Sequence, residues 1–218
     1  MKTPQIETWT GEFGREYTDR NALDVAQLDA FFAKNYGVTR TVLNQEFLSA
    51  IPKDARILEV GCNMGNQLLL LEGMGFSNLH GIEIQAYALE KAQTRLHGAT
   101  LKEATAFDIP YPDSYFDLVF TSGVLIHVAP QDLPRAVSEI HRCTRSHIWG
   151  LEYHSKESTE VNYRGHEQLL WKMDYPKFYL EQFNDLELVK SRLLPYLENA
   201  NTDSMYLLRK KANVAQAN

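Results

Sequence analysis

Residues 56–66, R-I-L-E-V-G-C-N-M-G-N, constrain the fold more than any other stretch of this chain. Ile57, Leu58 and Val60 read as a short buried strand. Gly61 to Gly65 read as a tight turn, and the leucines at 68–71 as a helix. Glu59 stands just before the turn, and Glu83 closes the next apolar run, L-H-G-I-E. Strand, glycine turn, helix, strand and acid is the layout of a nucleoside-binding βαβ unit. Glycine has no Cβ, so the backbone can bend tightly and approach a ligand closely. The carboxylate at the end of the second strand can accept hydrogen bonds from both hydroxyls of a ribose.

The details of the turn separate three cofactor classes. A dinucleotide site wants G-x-G-x-x-G with a pyrophosphate on the helix N-terminus, and the spacing Gly61, Asn63, Gly65 fails that pattern at its second and third glycines. A P-loop needs Gly-Lys-Ser/Thr, whereas Gly65-Asn66-Gln67 has no lysine to neutralise phosphate. What remains, E-x-G-x-x-x-G, suits a nucleoside cofactor without phosphate.

The following segments continue the alternation. Residues 86–96 form an amphipathic helix with Ala88, Leu89, Ala92 and Leu96 on one stripe. A-T-L-K-E-A-T reads as a third strand, followed by A-F-D-I-P-Y-P-D, and S-Y-F-D-L-V-F-T-S-G-V-L-I-H-V as a fourth strand and its sequel. Pro130-Gln131-Asp132 starts a helix over 133–143, and a fifth strand is expected over 147–153. L-E-L-V-K-S-R-L-L and D-S-M-Y-L-L-R-K-K supply two final strands, and residues after Lys211 read as a frayed tail. Before the sheet, helices are expected over 23–34 and 39–50.

These motifs, in this order over about 70 residues, resemble the class I S-adenosylmethionine-dependent methyltransferases, with E-x-G-x-x-x-G in the place of their first motif. The resemblance implies an α/β, Rossmann-like class I methyltransferase fold: a seven-stranded, mostly parallel sheet with an antiparallel last strand and helices on both faces. It implies S-adenosylmethionine as cofactor, held by Glu59, Gly61, Cys62, Asn63, Gly65, Glu83, Ile84, Phe107, Asp108, Ser122 and Tyr17. Asp108 would meet the exocyclic amine of adenine. The departure is Asn63, where the family usually has a middle glycine. Asparagine tolerates the left-handed region better than most residues, so the turn can form. Its side chain is expected to narrow the methionine end of the pocket.

The flanks sharpen the resemblance. W-T-G-E-F-G-R-E-Y-T-D-R-N together with Y-R-G-H-E and L-W-K-M-D-Y looks like a small clade of methylases associated with biosynthesis of pseudaminic acid and related nonulosonic sugars. On this reading residues 1–218 are a single domain. A cap or lid spans 1–37, the cofactor-binding core 38–155, a substrate-selecting insertion 155–180, and a strand pair 181–211. Trp9, Phe13 and Tyr17 would contact ligand from the lid. The alternative is an N-terminal segment simply packed on the core. Tyr153, Tyr163 and Arg164 would hold the acceptor, Arg164 through a bidentate contact to a carboxylate or phosphate, unless it is a plain surface arginine. His127 is the first candidate for a general base, on position and on the ordinary histidine pKa, with His154 and Glu152 next. A packed, hydrogen-bonded His127 is the competing reading.

Composition bounds the function. The 218 residues carry 22 Lys and Arg against 28 Asp and Glu, a net charge of −6, with no basic stripe of the kind that accompanies nucleic-acid binding. No apolar run reaches the length of a membrane span, and the N-terminus lacks the apolar region of a signal peptide. Two cysteines, Cys62 and Cys143, make neither a disulfide framework nor a metal site, and the expected setting is cytoplasmic. The expectation is therefore a methyltransferase acting on a small polar molecule, a sugar or nucleotide-sugar, without nucleic acid, membrane or metal. A protein or transfer RNA acceptor, or a non-catalytic cofactor-binding module, are the alternatives. Oligomeric state is not legible.

Overall fold

The computed structural model describes residues 2–211; the tail expected after Lys211 lies outside them. Four helices, α1 (Pro4–Thr10), α2 (Glu12–Arg20), α3 (Val25–Tyr36) and α4 (Arg40–Leu48), precede the sheet. Then follow β1 (Arg56–Val60), α5 (Asn66–Gly73), β2 (Asn78–Glu83), α6 (Ala86–Arg95), β3 (Thr100–Glu103) and β4 (Phe116–Ser122). A 3-10 turn at Leu125–His127 leads to α7 (Leu133–Cys143) and β5 (Thr144–Tyr153). A small hairpin, β6 (Thr159–Glu160) and β7 (Trp171–Lys172), precedes α8 (Tyr175–Gln182), β8 (Leu186–Pro195) and β9 (Thr202–Lys210).

The main sheet has seven strands in the order β3-β2-β1-β4-β5-β9-β8. β1 to β5 run parallel, and β9 lies antiparallel between β5 and β8. This is the Rossmann-like class I methyltransferase fold, with the strand order reversing between β1 and β4. Open sheets of this kind bind ligands at the carboxyl ends of the strands beside such a reversal.

Strand side chains alternate between two buried faces, as a parallel sheet covered on both sides requires. Ile57, Leu118, Phe120, Trp149 and Leu207 enter one core with Leu43 and Phe47 of α4 and Leu68 and Leu71 of α5. Leu58, Val119, Ile148, Tyr206 and Leu208 enter the other with Ile140 of α7 and Tyr179 of α8. Each fully buried large apolar side chain contributes about 1.5–3 kcal/mol to folding.

The sequence reading needs amendment at three places. Residues 8–21, read as an aromatic lid without assigned structure, are two helices separated by Gly11. Helices α1, α2 and α3 all reach the ligand cavity described below, α3 through Leu28, Phe31, Phe32 and Tyr36, of which Leu28 and Phe32 also enter the core. Strand β5 begins at Thr144, three residues before the expected start, because His141 and Arg142 close α7 and the chain turns directly into the sheet. The polar segment after β5 also hides apolar anchors: Leu169, Leu170 and Trp171 are buried and lead into α8.

Candidate active site

A cavity of about 460 Å³ opens at the carboxyl ends of β1, β2, β4 and β5 and is roofed by α1 and α2. Glu59, Gly61, Cys62, Asn63, Glu83, Ile84, Phe107, Ser122 and Tyr17 all line it, as do Trp9, Tyr153, Tyr163 and His127. Sequence reasoning thus places most of its candidates on one wall. Gly65, Asp108, Phe13, Arg164 and His154 are not on that lining.

The turn explains its own sequence. Gly61, Asn63 and Gly65 have φ of 72°, 47° and 79°, so every second residue is left-handed. A Cβ on Gly61 would sit 2.7 Å from Val124 Cγ2, and one on Gly65 2.4 Å from Leu96 Cδ1. Both positions therefore need glycine on grounds of conformation and of space. Asn63 manages the same conformation with its side-chain oxygen accepting the Met64 N–H at 2.8 Å, the local bond that makes asparagine tolerable there. Its amide nitrogen donates to Thr18 Oγ1 of α2 at 3.0 Å. The side chain reaches the cavity wall, as expected, but its polar atoms are committed to the turn and the roof.

Glu83 organises the end of β2. One carboxylate oxygen accepts the N–H groups of Ile84 (2.8 Å) and Gln85 (3.0 Å), and the other accepts the Asn63 N–H (2.8 Å). Burial raises its pKa, and those three amides oppose the rise. Arg95, which donates to Met64 O at 3.0 Å and Asn66 Oδ1 at 2.6 Å, braces the turn without entering the lining. Among the described lining residues Arg20 is the sole lysine or arginine. This donor set fits S-adenosylmethionine, whose nucleoside offers ribose hydroxyls and no phosphate: Glu83 would take the ribose, with the backbone of residues 61–63 close by.

Asp108 is displaced for a structural reason. Phe107 and Ile109 are both buried, and the residue between them projects to solvent. Glu139 accepts the Ile109 N–H at 2.9 Å, and Arg142 donates to the Ile109 and Tyr111 carbonyls, each at 2.9 Å, so α7 holds the loop this way round. Thr105, Ala106 and Phe107 form the wall there instead, correcting the expectation that Asp108 meets the adenine.

The roof is tied down by polar contacts that sequence reasoning missed. Gln85 Nε2 donates to the carbonyls of Trp9 (3.1 Å) and Gly11 (3.2 Å). Asn66 Nδ2 donates to Asn21 O at 2.8 Å, and Tyr87 OH to Asp19 at 2.8 Å. A Cβ on Gly14 would fall 1.8 Å from the Trp9 carbonyl oxygen, so close packing of α1 on α2 requires glycine. The one sequence clue was Gln85 itself, an amide two residues after Glu83.

His127 lies under this roof, its ring centroid 4.5 Å from that of Trp9 and 5.4 Å from that of Tyr163. Nδ1 bonds to the Leu169 carbonyl at 2.7 Å, which makes it the protonated nitrogen and leaves Nε2 as the acceptor. Burial pushes its pKa down to about 4, so the ring is neutral at physiological pH. The expectation that an ordinary histidine pKa suits it to be a base is thereby corrected. A base works best when its pKa lies near the operating pH.

The remaining candidates stand back from the cavity. Phe13 packs behind Trp9, with ring centroids 5.2 Å apart, and against Tyr163 and His166. Arg164 is exposed at a left-handed φ of 53°, the plain surface placement. The His154 backbone N–H donates to Thr202 O at 2.8 Å, and its buried Nδ1 has no hydrogen-bond partner. Cys62 is buried against Gly81, and burial pushes its thiol well up in pKa, so it is a packing residue of the wall.

Beneath the turn two buried ionisable side chains, Arg40 and Glu59, act on each other electrostatically without forming an ion pair. Arg40, fully buried in α4, donates from Nε to Asn44 at 2.8 Å and lies over the rings of Phe32 and Trp149. Burial lowers its pKa to about 10, and Glu59 opposes the drop. Glu59 accepts the Leu68 N–H, and burial, partly offset by Arg40, pushes its carboxyl well above the usual range. Glu152, at the end of β5, accepts the N–H groups of Val124 (3.2 Å) and Ile126 (3.3 Å), fixing the 3-10 turn that carries His127.

No helix among the described residues is long and apolar enough to cross a membrane, and no group of three His, Cys, Asp or Glu among them could hold a metal ion.

Residues 58–149 match the family model of the methyltransferase domain. An uncharacterized methyltransferase of Synechocystis is 30% identical over 93 residues, 43% of either chain. An uncharacterized protein of Haemophilus influenzae is 29% identical over 96 residues, 41% of this chain and 38% of that protein. The chain spans less than half the length of these curated relatives. Among solved structures, a Burkholderia thailandensis 1,6-didemethyltoxoflavin-N1-methyltransferase, bound to 1,6-didemethyltoxoflavin and S-adenosylhomocysteine, superposes with a TM-score of 0.72. It is 15% identical, with 97% of this chain and 92% of that chain covered. The [4+2]-cyclase SpnF superposes at 0.64 with 15% identity, over 79% of this chain and 80% of that one. Residues 58–149 thus match a methyltransferase domain model, and the chain has the class I, Rossmann-like fold.

Proposed function

We propose that this protein is an S-adenosylmethionine-dependent methyltransferase acting on a small polar acceptor, a sugar or nucleotide-sugar of nonulosonic acid biosynthesis, in a cytoplasmic setting. The observation that carries the reading is the cavity itself. Inside a methyltransferase domain, its nucleoside end offers a buried carboxylate, Glu83, and a glycine-bounded turn without lysine or arginine. The sugar acceptor rests on the resemblance of the flanking motifs, and the acidic net charge favours it over RNA.

When bound, the cofactor supplies a methyl group already activated on a sulfonium for in-line displacement. The protein's task is alignment, which supplies most of the acceleration in such a transfer. Glu83, its carboxylate held by the Asn63 N–H, would fix the ribose end. Trp9 and Tyr17 of the roof exclude water from the cavity. Neutral His127, with Nδ1 held by Leu169, presents Nε2 as a hydrogen-bond acceptor that can orient an acceptor hydroxyl. His127 is proposed to position that hydroxyl and take its proton late, as a weak base. The segment 155–180, through Tyr163, is proposed to contribute to acceptor choice.

Calorimetry with S-adenosylmethionine and S-adenosylhomocysteine tests the cofactor, and micromolar binding of both is expected. Labelled cofactor with a panel of nucleotide-activated nonulosonic acids and their precursors, read by mass spectrometry, tests the acceptor. Methyl transfer to bulk protein or transfer RNA, with none to the panel, would overturn the small-molecule reading.

A further inference from the structure

The cavity extends from the end of β2 across the sheet to the start of β9. Glu83 at the end of β2 and Asp203 at the start of β9 both line it, and the strands between follow the order β2-β1-β4-β5-β9. Four interstrand steps of about 4.8 Å set β2 and β9 about 19 Å apart across the sheet. The register Tyr153↔Asp203 brings the start of β9 to the carboxyl end of β5.

Three phenol rings from three different elements meet at Asp203. Tyr36 of α3 donates its hydroxyl to Asp203 Oδ2 at 2.6 Å. The Tyr36 and Tyr196 rings meet edge to face at 4.7 Å, and Tyr196 OH donates to Tyr153 OH at 3.5 Å. All four side chains line the cavity. Asp203 is 6% exposed, yet its Oδ1 is buried without a hydrogen-bond partner. A buried carboxylate oxygen left unpaired is costly, and a ligand donor would recover that cost. Burial raises its pKa to about 6, so it is largely ionised at neutral pH.

The surrounding charge selects the donor. Of the charged side chains on the described lining, Glu59, Glu83, Asp132, Glu152 and Asp203 face Arg20 alone, and Arg20 pairs with Glu16. Two cations act on Asp203 from outside the lining: buried Arg40, which donates to Asn44, and Lys172, which donates to Asn201. Aromatic rings grouped beside a carboxylate favour an ammonium over an uncharged donor, through cation–π attraction as well as charge.

We propose that the β5–β9 end of the cavity is the acceptor subsite and that Asp203, with Tyr36, Tyr153 and Tyr196, binds a protonated amine carried by the acceptor. The amine is an anchor, not the methylated atom, because protonation removes its nucleophilic lone pair. On this account an amino sugar enters amine first, and a carboxylate or phosphate stays outside. The inference rests on the methyltransferase reading for the word acceptor; the subsite chemistry stands on its own geometry.

NMR titration of the full chain with glucosamine, glucose and glucuronate, each with and without S-adenosylhomocysteine, tests it. Glucosamine should bind about tenfold more tightly than glucose, with glucuronate weakest. Asp203→Asn should abolish the preference while leaving S-adenosylhomocysteine affinity within about twofold, and Tyr196→Leu, in the β8–β9 loop, should reduce it about threefold if Asp203→Asn fails to fold. No glucosamine binding, equal binding of the three sugars, or a preference that survives the variants overturns the proposal. Failure of S-adenosylhomocysteine to bind would sink the cofactor reading separately, with the titrations in its absence still deciding the subsite.

Discussion

The Asn63 side-chain amide donates to the Thr18 hydroxyl across 3.0 Å, fastening the glycine-bounded turn to the helix that roofs the cavity. The irregular position of the motif is therefore a coupling point. A glycine at 63 would make the same turn but could not reach α2.

Asn63→Gly should keep the left-handed turn and lose the tie to Thr18. S-adenosylhomocysteine affinity should fall about three- to tenfold, the worth of one or two neutral hydrogen bonds. Amide exchange in residues 4–20 should quicken with little change in melting temperature. Asn63→Val places a β-branched residue at φ 47° and should cost a further 1–2 kcal/mol or so in global stability. Calorimetry, hydrogen exchange and thermal melts read the three effects, and unchanged exchange in α2 would detach Asn63 from the roof.

Glu83 has a second role besides any ribose contact, since it accepts three backbone N–H groups. Glu83→Gln turns one acceptor into a donor facing those amides. It should weaken S-adenosylhomocysteine binding at least tenfold and lower stability by about 1–3 kcal/mol. Calorimetry paired with urea denaturation separates the two. An unchanged affinity would show that the ribose is held elsewhere.

The sheet was legible because its signals are local: apolar runs, glycines and acids at strand ends fall inside single segments. β1 with its turn, β2 ending at Glu83, α6 and α7 follow from such patterns, whereas the antiparallel return of β9 was expected from the family resemblance alone. The roof was not legible as helices, because the stripe of Trp9, Phe13 and Tyr17 is interrupted by Gly11 and Gly14. Those glycines read as loop signals, but Gly11 caps both helices and Gly14 serves their close packing. Asp108 was misplaced because its direction depends on Glu139 and Arg142, some 30 residues away. Asp203, Tyr36 and Tyr196 were invisible for the same reason, since only the β9 insertion beside β5 brings them to Tyr153. His127 was found by position, but its pKa follows from burial under Trp9, which no motif encodes.

That low pKa, about 4, gives His127 a distinctive kinetic signature. His127→Asn should lower kcat about tenfold to a hundredfold, the lower part of the range for acid–base catalysis, with cofactor affinity unchanged. The wild-type kcat profile should show no inflection between pH 6 and 7 from this residue. An inflection near 6.5 that disappears in the variant would restore it as an ordinary base.

Glu152 sets a stability change of opposite character from the usual surface carboxylate. Burial raises its pKa from 4.5 to about 7 despite the backbone amides of the 3-10 turn that oppose the rise. The folded state therefore holds a proton that the unfolded chain releases above about pH 4.5. Between 4.5 and 7 the unfolded state binds fewer protons, so the stability contributed by Glu152 is full below 4.5 and lost as pH rises through 7. The loss is on the order of 3 kcal/mol, since each tenfold difference in proton affinity between the two states is worth about 1.4 kcal/mol. Asp203, raised to about 6, acts in the same direction, while His127 acts oppositely, losing stability as pH falls from 6.5 through 4. The difference between wild type and Glu152→Gln isolates one group. Its denaturation free energy, measured from pH 5 to 8, should fall less steeply than that of wild type. Parallel profiles would mean that Glu152 is ionised throughout, held as an anion by the amides of Val124 and Ile126.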